Sequence, residues 1–141
     1  MNNQAYQQDQ YFGLTAEGRV VAYLNEHEYH EDDPLILSQE RYNLFDFSNS
    51  EYTCELKTRR NLVGTYPSTM VGYNKIKICE DNPDKKYRFY FLFSDKKLYC
   101  WDYNKDEYFV KFGGRQDRGI DERKHYTYIP CDKLFFIGTL K

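Results

Sequence analysis

The chain has 141 residues and a net charge of −2, with 30% of its residues charged. That length suits one domain around one core, and that balance excludes a global basic field, so any nucleic-acid partner must be held by a local patch. Four cysteines spaced by 25, 21 and 31 residues, with no CxxC pair and no secretory leader, argue for a reduced, intracellular protein rather than a disulfide scaffold. No apolar run approaches the roughly 20 residues needed to span a bilayer, so no membrane role is expected. Apolar residues make up 40% and aromatics 18%, chiefly fifteen Tyr and ten Phe, which must therefore do much of the packing.

Residues 1–13 are polar and aperiodic and read as a disordered tail before a single domain over 14–141. Thr15 is placed as an N-cap with Leu14 as a staple, and Val20, Val21 and Leu24 recur at helical spacing, which predicts a helix from Ala16 to Glu26. Glu17 lies three residues before Val20 and shares its face. After the acidic loop HEYHEDDP, the runs LILS, YNLFDFS and EYTCELKTRR predict two or three strands, with a tight turn at Asn49-Ser50. Ser68 then reads as the N-cap of a second helix running to Glu80, through Met70, Tyr73 and Ile76. KYRFYFLFS, KLYCWDY and EYFVKF predict a β-meander. An irregular segment leads to HYTYIP as the last strand, before CDKLFFIG as a short turn or helix. The order implies an α/β domain, of mixed α+β character, with a central mixed sheet flanked by helices.

In YTCELKT the alternation puts Cys54 and Leu56 on one face and Glu55 and Lys57 on the other, about 6.6 Å apart by strand rise. If Ser48 pairs with Glu51, Asp46 faces Thr53 and lies about 7 Å diagonally from Glu55. A three-residue loop pairing Phe47 with Glu51 would turn Asp46 to the opposite face. Two converging carboxylates suit a hard divalent cation, Mg²⁺ or Mn²⁺, and a neighbouring lysine can orient a water or steady phosphoryl charge. That combination fits phosphodiester hydrolysis.

Asp46, eight intervening residues and Glu55-Leu56-Lys57 together resemble the D-x(n)-E-x-K signature of the PD-(D/E)XK, or restriction-endonuclease-like, nuclease superfamily, with FD standing where PD is usual. The resemblance covers roughly residues 15–80 and implies an α-β-β-β-α-β core, here with the meander as an extension. It implies Asp46 and Glu55 as metal ligands, Lys57 as the residue that activates the attacking water, Glu17 as an outer carboxylate and Lys75 as a phosphate contact. It further implies DNA as substrate, with RNA as an alternative, a homodimer, and, for the small viral and phage members the sequence looks like, residence in the cytoplasm or nucleus of a host cell. Arg59 and Arg60 extend the same strand end as a basic patch for phosphate, and Arg115 and Arg118 offer a second clamp. Both arginine pairs also read as solvated or salt-bridged surface. His27 and His30, in acidic surroundings, lack spaced third and fourth zinc ligands and read as loop. Tyr66 and Tyr73 read as packing or as base-stacking rings. The alternative function is a catalytically silent nuclease fold that binds nucleic acid or blocks a host defence protein.

Overall fold

The computed structural model describes residues 15–39, 44–113 and 124–141. The expected tail at 1–13, the Leu14 staple and the arginines at 115 and 118 lie outside those residues. Helix α1 spans Ala16–His27, one residue beyond the expectation. The Gly18 amide donates to Thr15 Oγ1 at 3.0 Å, which satisfies one of the free donors of the first turn. Val20, Val21 and Leu24 are buried, as their spacing predicts. At the helix's far end the Asn25 carboxamide both donates to the Leu35 carbonyl and accepts from the Leu35 amide, at 3.0 and 2.8 Å. This double bond fixes where the chain enters the sheet.

Strands β1 (Ile36–Leu37), β2 (Phe47–Ser48) and β3 (Tyr52–Thr58) run antiparallel in sequence order. A crossover carrying β4 (Ser68–Gly72) and helix α2 (Tyr73–Asp81) then returns the chain to β5 (Lys86–Leu92), parallel to β3. Strand β6 (Lys97–Asp102) pairs back on β5. The six-stranded sheet has the order β1-β2-β3-β5-β6-β9, where β9 is Phe135–Thr139, and a three-stranded sheet has the order β4-β8-β7, with β7 at Phe109–Gly113 and β8 at Lys124–Pro130.

Three expectations are corrected. The second helix does not begin after Ser68: Thr69 and Val71 are buried while Met70 between them is exposed, a period of two that pairs with β8, and the helix starts only at Tyr73. The meander holds for β5 and β6 but not for β7, whose apolar residues pair with β8 in the small sheet. HYTYIP is not the last strand, because after a 3₁₀ turn at Cys131–Lys133 the residues Phe135–Thr139 close the large sheet beside β6. Gly138 permits this closure, since a Cβ there would overlap the Tyr23 hydroxyl of α1.

Alternation along the central strands divides the core. Cys54, Leu56, Tyr90, Leu98 and Cys100 face α1. Phe89, Phe91 and Trp101, all fully buried, face α2 and the inner side of the small sheet, where Ile76, Val71 and Ile129 meet them. Each such large side chain removed from water stabilises the fold by about 1.5–3 kcal/mol before entropy is counted. Glu55 lies on this second, aromatic face.

Candidate active site

The hairpin that positions the site differs from the expected one by two residues. Ser48 pairs with Thr53, not Glu51, so Asn49–Tyr52 form a four-residue loop in place of a two-residue turn. Asn49 explains the choice: its side-chain oxygen accepts from the amides of Glu51 and Tyr52 at 3.0 and 2.7 Å, an Asx turn that holds the loop from within. A shift of two leaves the faces unchanged. Asp46 therefore stays on the Glu55 side, as the odd register requires.

At Asp46 the ladder steps out of regular pairing. Its amide donates to the Cys54 carbonyl at 3.0 Å, and its Oδ2 accepts from the Leu56 amide at 2.8 Å, a ladder position that backbone would otherwise fill. The carboxylate is thus held by backbone at the strand's edge, next to Glu55.

Glu55 is only 4% exposed, and its carboxyl is pushed up to about 7, first by burial and then by hydrogen bonding to, and repulsion from, the Asp46 carboxylate. Two ammonium groups approach the same Glu55 oxygen, Lys57 Nζ at 3.4 Å and Lys75 Nζ at 3.7 Å, and pull in the opposite direction. Burial and the second carboxylate outweigh both lysines. Lys75 projects from the first turns of α2 and its ammonium lies 5.1 Å from the Phe45 ring centroid, so an aromatic floor helps to aim it. The sequence reading placed Lys75 as a phosphate contact but did not anticipate its approach to Glu55 or the role of Phe45. The aromatics flanking Asp46 were the available signal.

Other expected residues sit apart. Glu17 is half-buried on α1, which packs against the opposite face of the sheet, and among the described residues no three His, Cys, Asp or Glu side chains gather closely enough to hold an ion. Arg59 is anchored within the protein: Nε donates to Thr69 Oγ1 at 3.3 Å, Nη1 to the Thr58 carbonyl at 3.3 Å, and Nη2 to the Met70 carbonyl. It ties the end of β3 to β4. Arg60 is exposed beside it. His30 Nδ1 accepts from the Asp32 amide in the loop after α1, whereas His27 is the last residue of α1 and packs against Tyr23. Tyr73 donates to Glu80 at 2.6 Å, whereas the Tyr66 ring is 62% exposed.

Two adjacent carboxylates are an appropriate donor set for Mg²⁺ or Mn²⁺, since Mg²⁺ commonly takes one or two carboxylates and keeps several waters. The raised Glu55 carboxyl gives a physical reason: the pair is crowded with negative charge that a proton relieves at acid pH and a cation would relieve above it. Set against models of known protein families and against curated protein sequences, the chain matches none.

Proposed function

We propose that this protein is a Mg²⁺- or Mn²⁺-dependent nuclease that hydrolyses phosphodiester bonds in DNA. The observation that carries the reading is the convergence of Asp46, Glu55, Lys57 and Lys75 at one point on the aromatic face of the sheet, with both ammonium groups within 4 Å of one Glu55 oxygen. The element order α1, β1–β3, β4, α2, β5, with β5 parallel to β3, is the order that the sequence resemblance implies with one strand, β4, added before α2.

Asp46 and Glu55 would hold the ion, which when bound polarises a phosphoryl oxygen and lowers the pKa of a coordinated water. Asp46 is fixed for that role by the Leu56 amide. Glu55 must release its proton to serve, so affinity for the ion should rise with pH as that carboxyl ionises. Lys57, one-third exposed, is placed to orient the attacking water, and the more buried Lys75 to offset charge that builds on the phosphoryl oxygens.

The test is cleavage of branched, nicked and single-stranded DNA with Mg²⁺ or Mn²⁺ by the wild type, Glu55→Gln and Lys57→Ala. The wild type should cleave and the variants should not. Equal activity in all three proteins overturns the reading. One observation favours a silent, DNA-binding form of the same fold: two ammonium groups already stand where an ion would approach Glu55, and Glu17 does not join the site. DNA binding by a wild type that cleaves none of these substrates would select it.

A further inference from the structure

The outer face of the three-stranded sheet is built unlike the rest of the surface. Its inner side is core at β4 and β8, where Val71, Thr127 and Ile129 are buried, but Val110 and Phe112 of β7 are exposed on that side. Its outer side carries a row across all three strands, Met70 opposite Tyr128 opposite Phe109, followed by a second row, Gly72 opposite Tyr126 opposite Lys111. Phe109 is 43% and Met70 39% exposed. The Phe109 and Tyr128 rings stack nearly parallel, with centroids 5.3 Å apart at 11°, so together they form one aromatic block on this face. Lys111 Nζ stands 5.5 Å from the Phe109 ring and Lys124 Nζ 5.3 Å from the Tyr126 ring. No Asp or Glu occurs in β4, β7 or β8.

This face borders a groove near the end of β3. Met70 and Tyr128 line this groove, of about 450 Å³, together with Arg59, Asn61 and Tyr66. The Tyr66 ring is exposed but its backbone is held, because its carbonyl accepts from Cys131 Sγ at 3.4 Å and the next carbonyl, of Pro67, from the Cys131 amide at 3.0 Å. Arg59 at the groove lies on the face of β3 that carries Glu55 and Lys57, about 6.6 Å beyond Lys57 by strand rise.

We propose that the outer face of the β4-β8-β7 sheet is a stacking platform for single-stranded DNA, which it leads past Tyr66 to the Asp46–Glu55 centre. Exposed rings beside lysines, on three strands that themselves carry no acidic residue, match unpaired bases and their phosphates, because stacking tolerates any base and lysine supplies the backbone attraction. A self-association face would be expected to exclude lysine from its middle. Duplex DNA keeps its bases inside the stack and gains only the phosphate contacts. The inference deepens the nuclease reading by naming its substrate class, and rests on it for the direction of the strand.

The experiment measures binding in EDTA, where no cleavage occurs, of a fluorescein-labelled oligothymidylate of about 15 nucleotides and of a blunt hairpin duplex of equal length. The proteins are the wild type, Phe109→Ala, Phe109→Tyr and Lys111→Ala. The wild type should bind the single strand more tightly than the duplex. Phe109→Ala should weaken single-strand binding about tenfold or more, with Phe109→Tyr restoring it and an unchanged melting temperature showing that the fold is intact. Lys111→Ala should reduce the slope of log K against log salt by about 0.7. The platform is overturned by equal affinity for the two DNAs, by Phe109→Ala binding as the wild type does, or by a wild-type dimer that Phe109→Ala converts to monomer without loss of DNA binding. The two proposals fail separately. Single-strand binding through Phe109 by a protein that cleaves nothing removes the nuclease and keeps the platform, whereas cleavage unaffected by Phe109→Ala does the reverse.

Discussion

The two faces of the large sheet each carry a cluster of polar side chains among apolar neighbours, and the clusters behave in opposite ways. On the α1 face, Arg88 donates to Asp102 at 2.6 Å and to the Tyr29 hydroxyl at 3.0 Å, lies 3.7 Å from the Tyr52 ring centroid, and is linked through Tyr29 to Tyr90 at 2.7 Å. Burial pushes the Tyr29 hydroxyl and the Cys54 thiol up to about 12. Burial alone would lower the Arg88 guanidinium, but Tyr29 and Asp102 hold it above its ordinary value. Tyr29, Cys54 and Arg88 are thus driven further from neutrality, so their protonation is fixed under physiological conditions. On the α2 face, Glu55 is driven toward neutrality, to about 7. A polar cluster whose partners lock its charges is a structural device. One whose members conflict is available for chemistry.

The largest expected effect tests the second cluster. Lys57→Ala should reduce cleavage of DNA by about 10²–10⁴-fold, the usual contribution of a group that handles a proton in the reaction, while leaving the denaturant midpoint almost unchanged because Lys57 is one-third exposed. Arg88→Ala should reverse that pattern. Losing two charge-assisted bonds and a ring contact should cost about 2–3 kcal/mol in urea unfolding, discounted from a fully buried pair because the Asp102 side chain is 54% exposed. Cleavage per folded molecule should not change. If Arg88→Ala abolished cleavage in a folded protein, the division of the two faces into structure and chemistry would collapse.

The face occupied by Glu55 and Lys57 was legible because it depends on alternation alone, and alternation survives any even shift of register. The turn was not legible. Asn49 accepts from the Glu51 and Tyr52 amides, and that local competition for backbone donors set a four-residue loop where two residues were expected. The false start of the second helix has a similar origin. Ser68, Met70 and Tyr73 have helical spacing, but Thr69 and Val71 are β-branched and find partners in Ile129 and Thr127, nearly sixty residues away. No local pattern announces such a partner. Non-local pairing also hid β9, because Phe135–Thr139 becomes a strand only by meeting β6 at the sheet's edge.

A further effect on stability sharpens the comparison through pH. The Glu55 carboxyl ordinarily titrates near 4.5 when unfolded and near 7 in the fold, so the folded state holds its proton more tightly. Below about pH 4.5 both states are protonated and the contribution to stability is complete. It is lost as pH rises through about 7, at no more than about 1.4 kcal/mol per pH unit, and is constant above. Asp33, Glu51 and Glu80, all held below the ordinary carboxylate range, tilt stability the other way at more acid pH. Urea unfolding in EDTA across pH 4.5–8 should therefore show a decline in wild type relative to Glu55→Gln, with the two curves parallel above about pH 7.5. Parallel curves throughout would mean that Glu55 is not perturbed.

The least effect belongs to the α1 face. Tyr29→Phe removes a hydroxyl that joins Arg88 to Tyr90 but keeps the ring against Tyr52 and the Arg88–Asp102 bond. The loss should be about 1 kcal/mol, the net worth of hydrogen bonds whose partners keep other contacts. It should also be independent of pH between 5 and 8, since Tyr29, Tyr90 and Arg88 are all raised away from that range. The contrast with Glu55→Gln lies in the shape of the curve rather than its size. A Tyr29→Phe penalty that varied across that range would show that the α1 cluster exchanges a proton near neutrality, and that its charges are not fixed by their partners.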